Sequence, residues 1–198
     1  MFALIENQQI TKHLSGNKGI TLGDIQYPRS IFTLWSEAER NAIGIFEVTV
    51  DTTNKKDEQW YINTNVSYGV ESNKAVGSYG TATAKAHADA NGTDADGVEL
   101  DPVVVIPGLK TNLIKDLKIN VANELARTDW YITRNTEKST AIPSAISTHR
   151  DAVRTKQAEM ETAITNAVDT PALETLYTYT TTDGVQSRPL GELPTLES

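Results

Sequence analysis

The sequence predicts an α+β protein: an N-terminal small antiparallel β domain with one short helix, followed by an α-helical hairpin and an extended C-terminal tail. Three observations carry that expectation. Trp60, Ile62, Thr64, Val66, Tyr68 and Val70 alternate with polar neighbours, the period-two pattern of a half-buried strand. After Gly108 the period becomes 3.6, with Leu109, Leu113, Leu117, Val121 and Leu125 stepping by four and Ile114 widening the stripe. The closing stretch, TTTDGVQSRPLGELPTLES, is punctuated by Pro189 and Pro194 and holds few large apolar residues. The expected boundaries are 1–107 for the β domain, 108–170 for the hairpin and 171–198 for the tail.

Taken in order, "FALI" and "ITKHL" flank Glu6-Asn7-Gln8-Gln9, residues suited to a hairpin turn, and "GITLGDIQYP" follows the Gly16 to Gly19 punctuation. Ser36 followed by Glu39 fits a capping box, in which each side chain satisfies an orphan N–H at a helix entrance. Trp35, just before that cap, is expected in the core. "AIGIFEVTVD" places Phe46, Val48 and Val50 on one face of a strand, and Glu71-Ser72-Asn73-Lys74 turns the 60–70 strand back into "AVGSYGTATAK", whose small residues suggest a weak edge strand. Residues 86–101 read as a surface loop, since Ala, Asp and Gly cannot offset their ordering entropy by burial. "PVVVIPG" reads as a last strand between Pro102 and Pro107.

The first hairpin helix is expected to continue to about Arg134, and the second to open near Pro143, bury Ile146, Val153, Met160 and Ile164, and end near Asp169-Thr170-Pro171. Trp130 would then wedge against Ile142 and Ile146 and set the hairpin angle, with Tyr131 left available to a partner.

The chain has 198 residues, 38% hydrophobic and 22% charged, and no run approaching the ~18 consecutive apolar residues of a membrane span. Eighteen Lys and Arg against 26 Asp and Glu give a net charge of −8, and the basic residues are scattered, which argues against nucleic acid as a partner. There is no cysteine and no secretory pattern at the start, so synthesis in a cytoplasm is expected.

Catalytic motifs are not found. His13, His87 and His149 are far apart and lack metal-ligand spacing. Calcium-loop registers around Gly92 and Gly97 put His87 and Val98, or Gly92, where carboxylates belong, leaving only an irregular site at Asp94, Asp96 and Asp101 to weigh against a solvated acidic loop. GxxxxGK[ST], GxGxxG after a strand and GxSxG are absent. No cofactor, metal or catalytic residue is nominated.

Two stretches carry a resemblance. "MFALIENQQI" leading to "YPRSIFTLWSEAERNAIGIFEV" resembles the opening of tail-fibre-associated proteins of tailed bacteriophages, the matching residues being Met1 to Ile5, Trp35 to Arg40 and Ile43 to Val48. "ANELARTDWYITRNTEKSTAIPSAISTHRDAVR" is similar to the phage tail assembly chaperone-like pattern, an L-x-x-TDW element followed by a helix with YR-x-x-(L/V)R. His149 stands where Tyr is usual, and Leu193 where Trp is usual in the "RPLGELPTL" ending.

The resemblance implies a non-enzymatic structural component of a phage tail, such as a fibre, baseplate or adaptor subunit. Such a component would be made in the host cytoplasm and located in the virion tail, bound to other tail proteins or to copies of itself in a symmetric assembly. A tail-fibre assembly chaperone is the first alternative, and a host-glycan receptor-binding or glycan-cleaving tail domain the second. The interaction candidates are Trp130, Tyr131, Leu190, Leu193 and Leu196.

Overall fold

The computed structural model describes residues 1–196; Glu197 and Ser198, the end of the predicted tail, lie outside the described residues. The protein is mixed α+β and divides into two compact units, 1–83 and 84–198, so residues 84–107 group with the helices.

The first unit holds β1 (Phe2–Glu6), β2 (Gln9–Leu14), β3 (Ile20–Leu22), β4 (Ile25–Tyr27), α1 (Ile31–Leu34), α2 (Glu37–Ala42), β5 (Ile45–Asp51), β6 (Tyr61–Ile62), β7 (Val66–Glu71), β8 (Lys74–Tyr79) and β9 (Thr83–Ala84). Five of the strands form one curled sheet in the order β2-β1-β5-β8-β7, while β3–β4 and β6–β9 pair separately. Asn7 and Gln8, and again Ser72 and Asn73, take positive φ, the two-residue turn that matches the twist of antiparallel strands. The Ser36/Glu39 capping box is complete, with Glu39 N–H donating to Ser36 Oγ at 3.3 Å and Ser36 N–H to Glu39 Oε2 at 2.8 Å. Leu4, Leu14, Ile20, Ile31, Phe32 and Ile45 form the core of this unit, with Trp35 packed against it and edge-on to Tyr27.

Four expectations for this region differ from the structure. The sheet is not wholly antiparallel, since β5 and β8 run parallel, and two short helices replace one. The 60–70 strand is interrupted: Trp60 is buried, but Ile62 is exposed, and residues 63–65 leave the ladder. The cause is local. Asn63 Oδ1 accepts from Lys56 N–H and its Nδ2 donates to Lys56 O, both at 2.8 Å, while Thr64 Oγ1 accepts from Gly80 N–H at 2.7 Å. These side-chain bonds hold the backbone where a ladder would otherwise continue. Nor is β8 an edge: it lies between β5 and β7. Its small residues make that place tenable, since a Cβ on Gly77 would stand 2.8 Å from Val66 and 2.9 Å from the Tyr68 ring.

The second unit holds β10 (Ala90–Asn91), β11 (Val105–Ile106), α3 (Leu109–Ala126), α4 (Asp129–Lys138), α5 (Ser144–Asn166), α6 (Thr170–Tyr177), β12 (Thr180–Thr182) and β13 (Val185–Ser187). Helices α3 and α5 pack together. Leu117 and Val121 are the buried part of the α3 stripe, and Ile146, Val153, Met160 and Ile164 are all buried on α5. The tail is not extended throughout. Asp169 caps α6 by accepting Ala172 N–H at 2.8 Å, and β12 and β13 form a hairpin through Asp183 and Gly184, both at positive φ. No described helix is long and apolar enough to cross a membrane.

Candidate interaction site

The first helix does not reach Arg134: α3 stops at Ala126 and α4 starts at Asp129. The reason lies across the seam, on α5. Arg150, only 8% exposed, donates through Nη1 to Leu125 O at 2.8 Å, Thr128 Oγ1 at 2.7 Å and Asp129 Oδ1 at 2.8 Å. Thr128 also turns back on Leu125 O, its N–H at 3.1 Å and its Oγ1 at 3.0 Å. A carbonyl that would continue the α3 ladder is thus taken by a hydroxyl, an amide and a buried guanidinium. One residue earlier on α5, His149 Nε2 sits 3.1 Å from Glu124 Oε1, and Arg127 Nη1 sits 3.0 Å from Glu124 Oε2. Burial raises the Glu124 pKa, but hydrogen bonds and charge from Arg127 and His149 outweigh it and hold the carboxyl below its ordinary value.

The two motif elements of the C-terminal resemblance therefore meet. Thr128 and Asp129 of "TDW" are bonded to Arg150 of "HRDAVR". They make the structural joint that the wedge was expected to make. Sequence reasoning gave Arg150 no role; a long cation on the same helix as Ile146 and Val153, spaced to share their face, was the available signal.

Trp130 is not the wedge. It is 52% exposed, its ring tilted against Tyr131 at a centroid distance of 3.8 Å, with the Arg134 guanidinium 5.9 Å from its centre. Asp129, beside it, is ion-paired with Arg150 at 2.8 Å. Tyr131 is half-buried. The joint leaves the aromatic pair on the surface of α4, where it can stack on a partner.

Of the three tail leucines, Leu190 is buried in its own unit, and its N–H donates to Leu176 O at 3.0 Å; Leu193 and Leu196 are half-buried. Arg188 secures this return. Its guanidinium lies 5.3 Å from the Tyr177 ring centre and 5.1 Å from that of Tyr179, and it forms an ion pair with Glu192 at 2.8 Å.

Among the described residues, the longest run of exposed large apolar side chains is one that the sequence predicts as a strand of the first domain. Val103, Val104, Val105 and Ile106 are each half or more exposed, and among the described residues β11 pairs with β10 alone, at Ala90 and Asn91. The acidic loop before it holds no cation site in view: Asp94 Oδ1 already accepts Asp96 and Val98 N–H, and no described group of three His, Cys, Asp or Glu could hold a metal. A second apolar depression lies on α3, where Ile114, Ile119 and Ala122 are flanked by Lys115 and Lys118.

Comparison with known proteins finds no match: no protein-family model, no curated protein and no solved structure.

Proposed function

We propose that this protein is a non-enzymatic component of a bacteriophage tail that works through protein–protein binding, with the C-terminal unit as its binding module. One observation carries the reading: four consecutive large apolar residues, Val103 to Ile106, stand in solvent beside an unpaired strand edge. Contiguous exposed apolar surface of that kind marks an interaction site, and an open edge can take a further strand. The virion setting comes from the phage-like motifs at both ends of the chain. The partners are other tail proteins or further copies of this chain in a symmetric assembly.

The test is a particle made with a chain carrying Val103→Ser, Val104→Ser and Val105→Ser. Quantitative mass spectrometry of purified particles is expected to find the parent chain at stoichiometric level and the variant depleted at least tenfold. Equal incorporation of a folded variant would remove this surface from the reading.

A second reading, a tail-fibre assembly chaperone, is favoured by the meeting of the "TDW" and "HRDAVR" elements, since those are the motifs that resemble the chaperone-like pattern. It requires the chain to be missing from finished particles while fibres fail to assemble without it. The same mass spectrometry separates the two.

A further inference from the structure

Within the first unit, a cavity of about 560 Å³ opens between the end of β2, the loop that follows it and α1. We propose that it is a binding site for a phosphate group carried on a small polar molecule, a ligand of the size of a phosphorylated sugar. This goes beyond the protein-binding reading and is independent of it.

The argument starts with charge. The chain carries a net −8, yet among the described residues lining this cavity the charged side chains are Lys12 and Lys18, with no carboxylate. Neither lysine forms an ion pair among the described residues. Two lysines lining one concavity give it a positive potential that favours an anion.

Backbone geometry adds donors. The loop Ser15-Gly16-Asn17-Lys18-Gly19 is a bend without regular structure, with Gly16 at φ +73°. Of the loop residues that line the cavity, Gly16 and Lys18 have amide N–H groups with no acceptor among the described residues. Free N–H groups beside a left-handed residue can donate to phosphate oxygens. Glycine is required at position 16: apart from its φ, a Cβ there would stand 3.1 Å from the Phe2 ring. A tetrahedral oxyanion can use several amides and two ammonium groups together, which a neutral ligand cannot.

The rest of the cavity sets the size of the ligand. Its volume falls in the range of small-molecule sites and exceeds what an ion alone would fill. Phe32 supplies an apolar wall, and His13, held edge-on to Tyr68 at a centroid distance of 4.7 Å, supplies a polar one. A phosphate at the loop thus leaves room for a body of sugar size against Phe32 and His13.

The experiment is a backbone amide NMR titration of the full chain with glucose 6-phosphate, inorganic phosphate and glucose, at low ionic strength and again in 0.5 M salt. Glucose 6-phosphate is expected to shift the amides of Gly16, Asn17 and Lys18, glucose to leave them unmoved, and salt to weaken the effect as screening requires. Inorganic phosphate binding as tightly as glucose 6-phosphate would keep the anion site and name the free ion as its ligand. The paired substitution Lys12→Gln and Lys18→Gln is expected to lower affinity at least tenfold with thermal stability unchanged, because both lysines are exposed. No shift at these amides with either phosphorylated probe overturns the proposal. So does an affinity that the double substitution leaves intact.

Discussion

The two units treat their apolar residues differently. In the first, the large side chains left in solvent are scattered: Ile25, Leu34 and Ile62 each stand apart along the sequence, the ordinary condition of a protein surface. In the second, they come in a run, Val103 to Ile106, with Ile119 and Trp130 exposed as well. The joints differ too. The first unit closes on an apolar cluster around Ile31 and Ile45, whereas the second adds a buried cation, Arg150, to fix the angle where α3 gives way to α4. The second unit thus holds a buried guanidinium at its joint while leaving a run of valines in water, the contrast on which the proposed binding role rests.

The largest expected effect tests the apolar side of that contrast. Ile31 is fully buried in the first unit, so Ile31→Ala should lose the transfer energy of its side chain and leave a cavity, costing about 2–5 kcal/mol. Urea denaturation with a probe in each unit would measure it. Should the loss register equally in both units, they unfold as one body and the contrast is weaker than drawn.

Arg150→Met is next. It keeps much of the length while removing the donor to Leu125 O, Thr128 Oγ1 and Asp129 Oδ1. With a neutral methionine in place of the guanidinium, the two buried oxygens lose a charged donor, for an expected cost of about 2–3 kcal/mol. Amide hydrogen exchange should show the effect centred on 125–131. Unchanged protection there would mean that Thr128 alone breaks the helix.

A smaller effect comes from pH. The Glu124 carboxyl is held below its ordinary value, so the folded state binds its proton less readily than the unfolded chain. Its contribution is present above the unfolded glutamate value of about 4.3 and is lost as pH falls through the depressed folded value. Thermal melts of the parent and of Glu124→Gln should therefore differ near neutral pH and converge in acid. A constant difference between them would show that Glu124 acts by shape and not by charge.

How much of this was legible depended on where the decisive contact lay. Periodicity located the apolar buried residues of α5, because Ile146, Val153, Met160 and Ile164 recur along one long helix that packs mainly on α3. The capping box was equally legible, since Ser36 and Glu39 interact within one turn. What periodicity missed was long in range or made by polar side chains. Nothing near Thr128 announces that Arg150, twenty-two positions on, will take its hydroxyl and the Leu125 carbonyl. The parallel pairing of β5 with β8 is likewise invisible to alternation, which reads the same in either direction. Trp130, expected to wedge, is 52% exposed, and Tyr131, expected to be available, is half-buried. The valine run was assigned to a β domain because a short apolar segment between prolines looks identical whether it is covered or exposed. The loop at Gly16 to Gly19 reads in sequence only as punctuation, because alternation and spacing carry no sign of the left-handed conformation at Gly16.

The smallest expected effect on stability falls on the residue that the sequence made largest. A wedging Trp130 would cost about 3–5 kcal/mol on truncation to alanine, as large core residues do. In the folded chain its ring is 52% exposed and touches Tyr131 and Arg134 on its own helix, contacts of the kind worth about 0.5–1 kcal/mol. Trp130→Ala should accordingly lower stability by no more than about 1 kcal/mol, since Arg150 and Thr128 hold the joint without it. Its effect should fall on association instead: a half-exposed indole beside a tyrosine offers a large rigid surface that gains most when a partner covers it. Denaturation of the variant and its incorporation into particles, measured side by side, separate the two roles. A loss near 4 kcal/mol would restore the wedge, and full stability with normal incorporation would leave the valine run as the sole binding surface of the unit. Full stability with lost incorporation would make the aromatic pair on α4 part of the interface, reached through a joint that Arg150 builds.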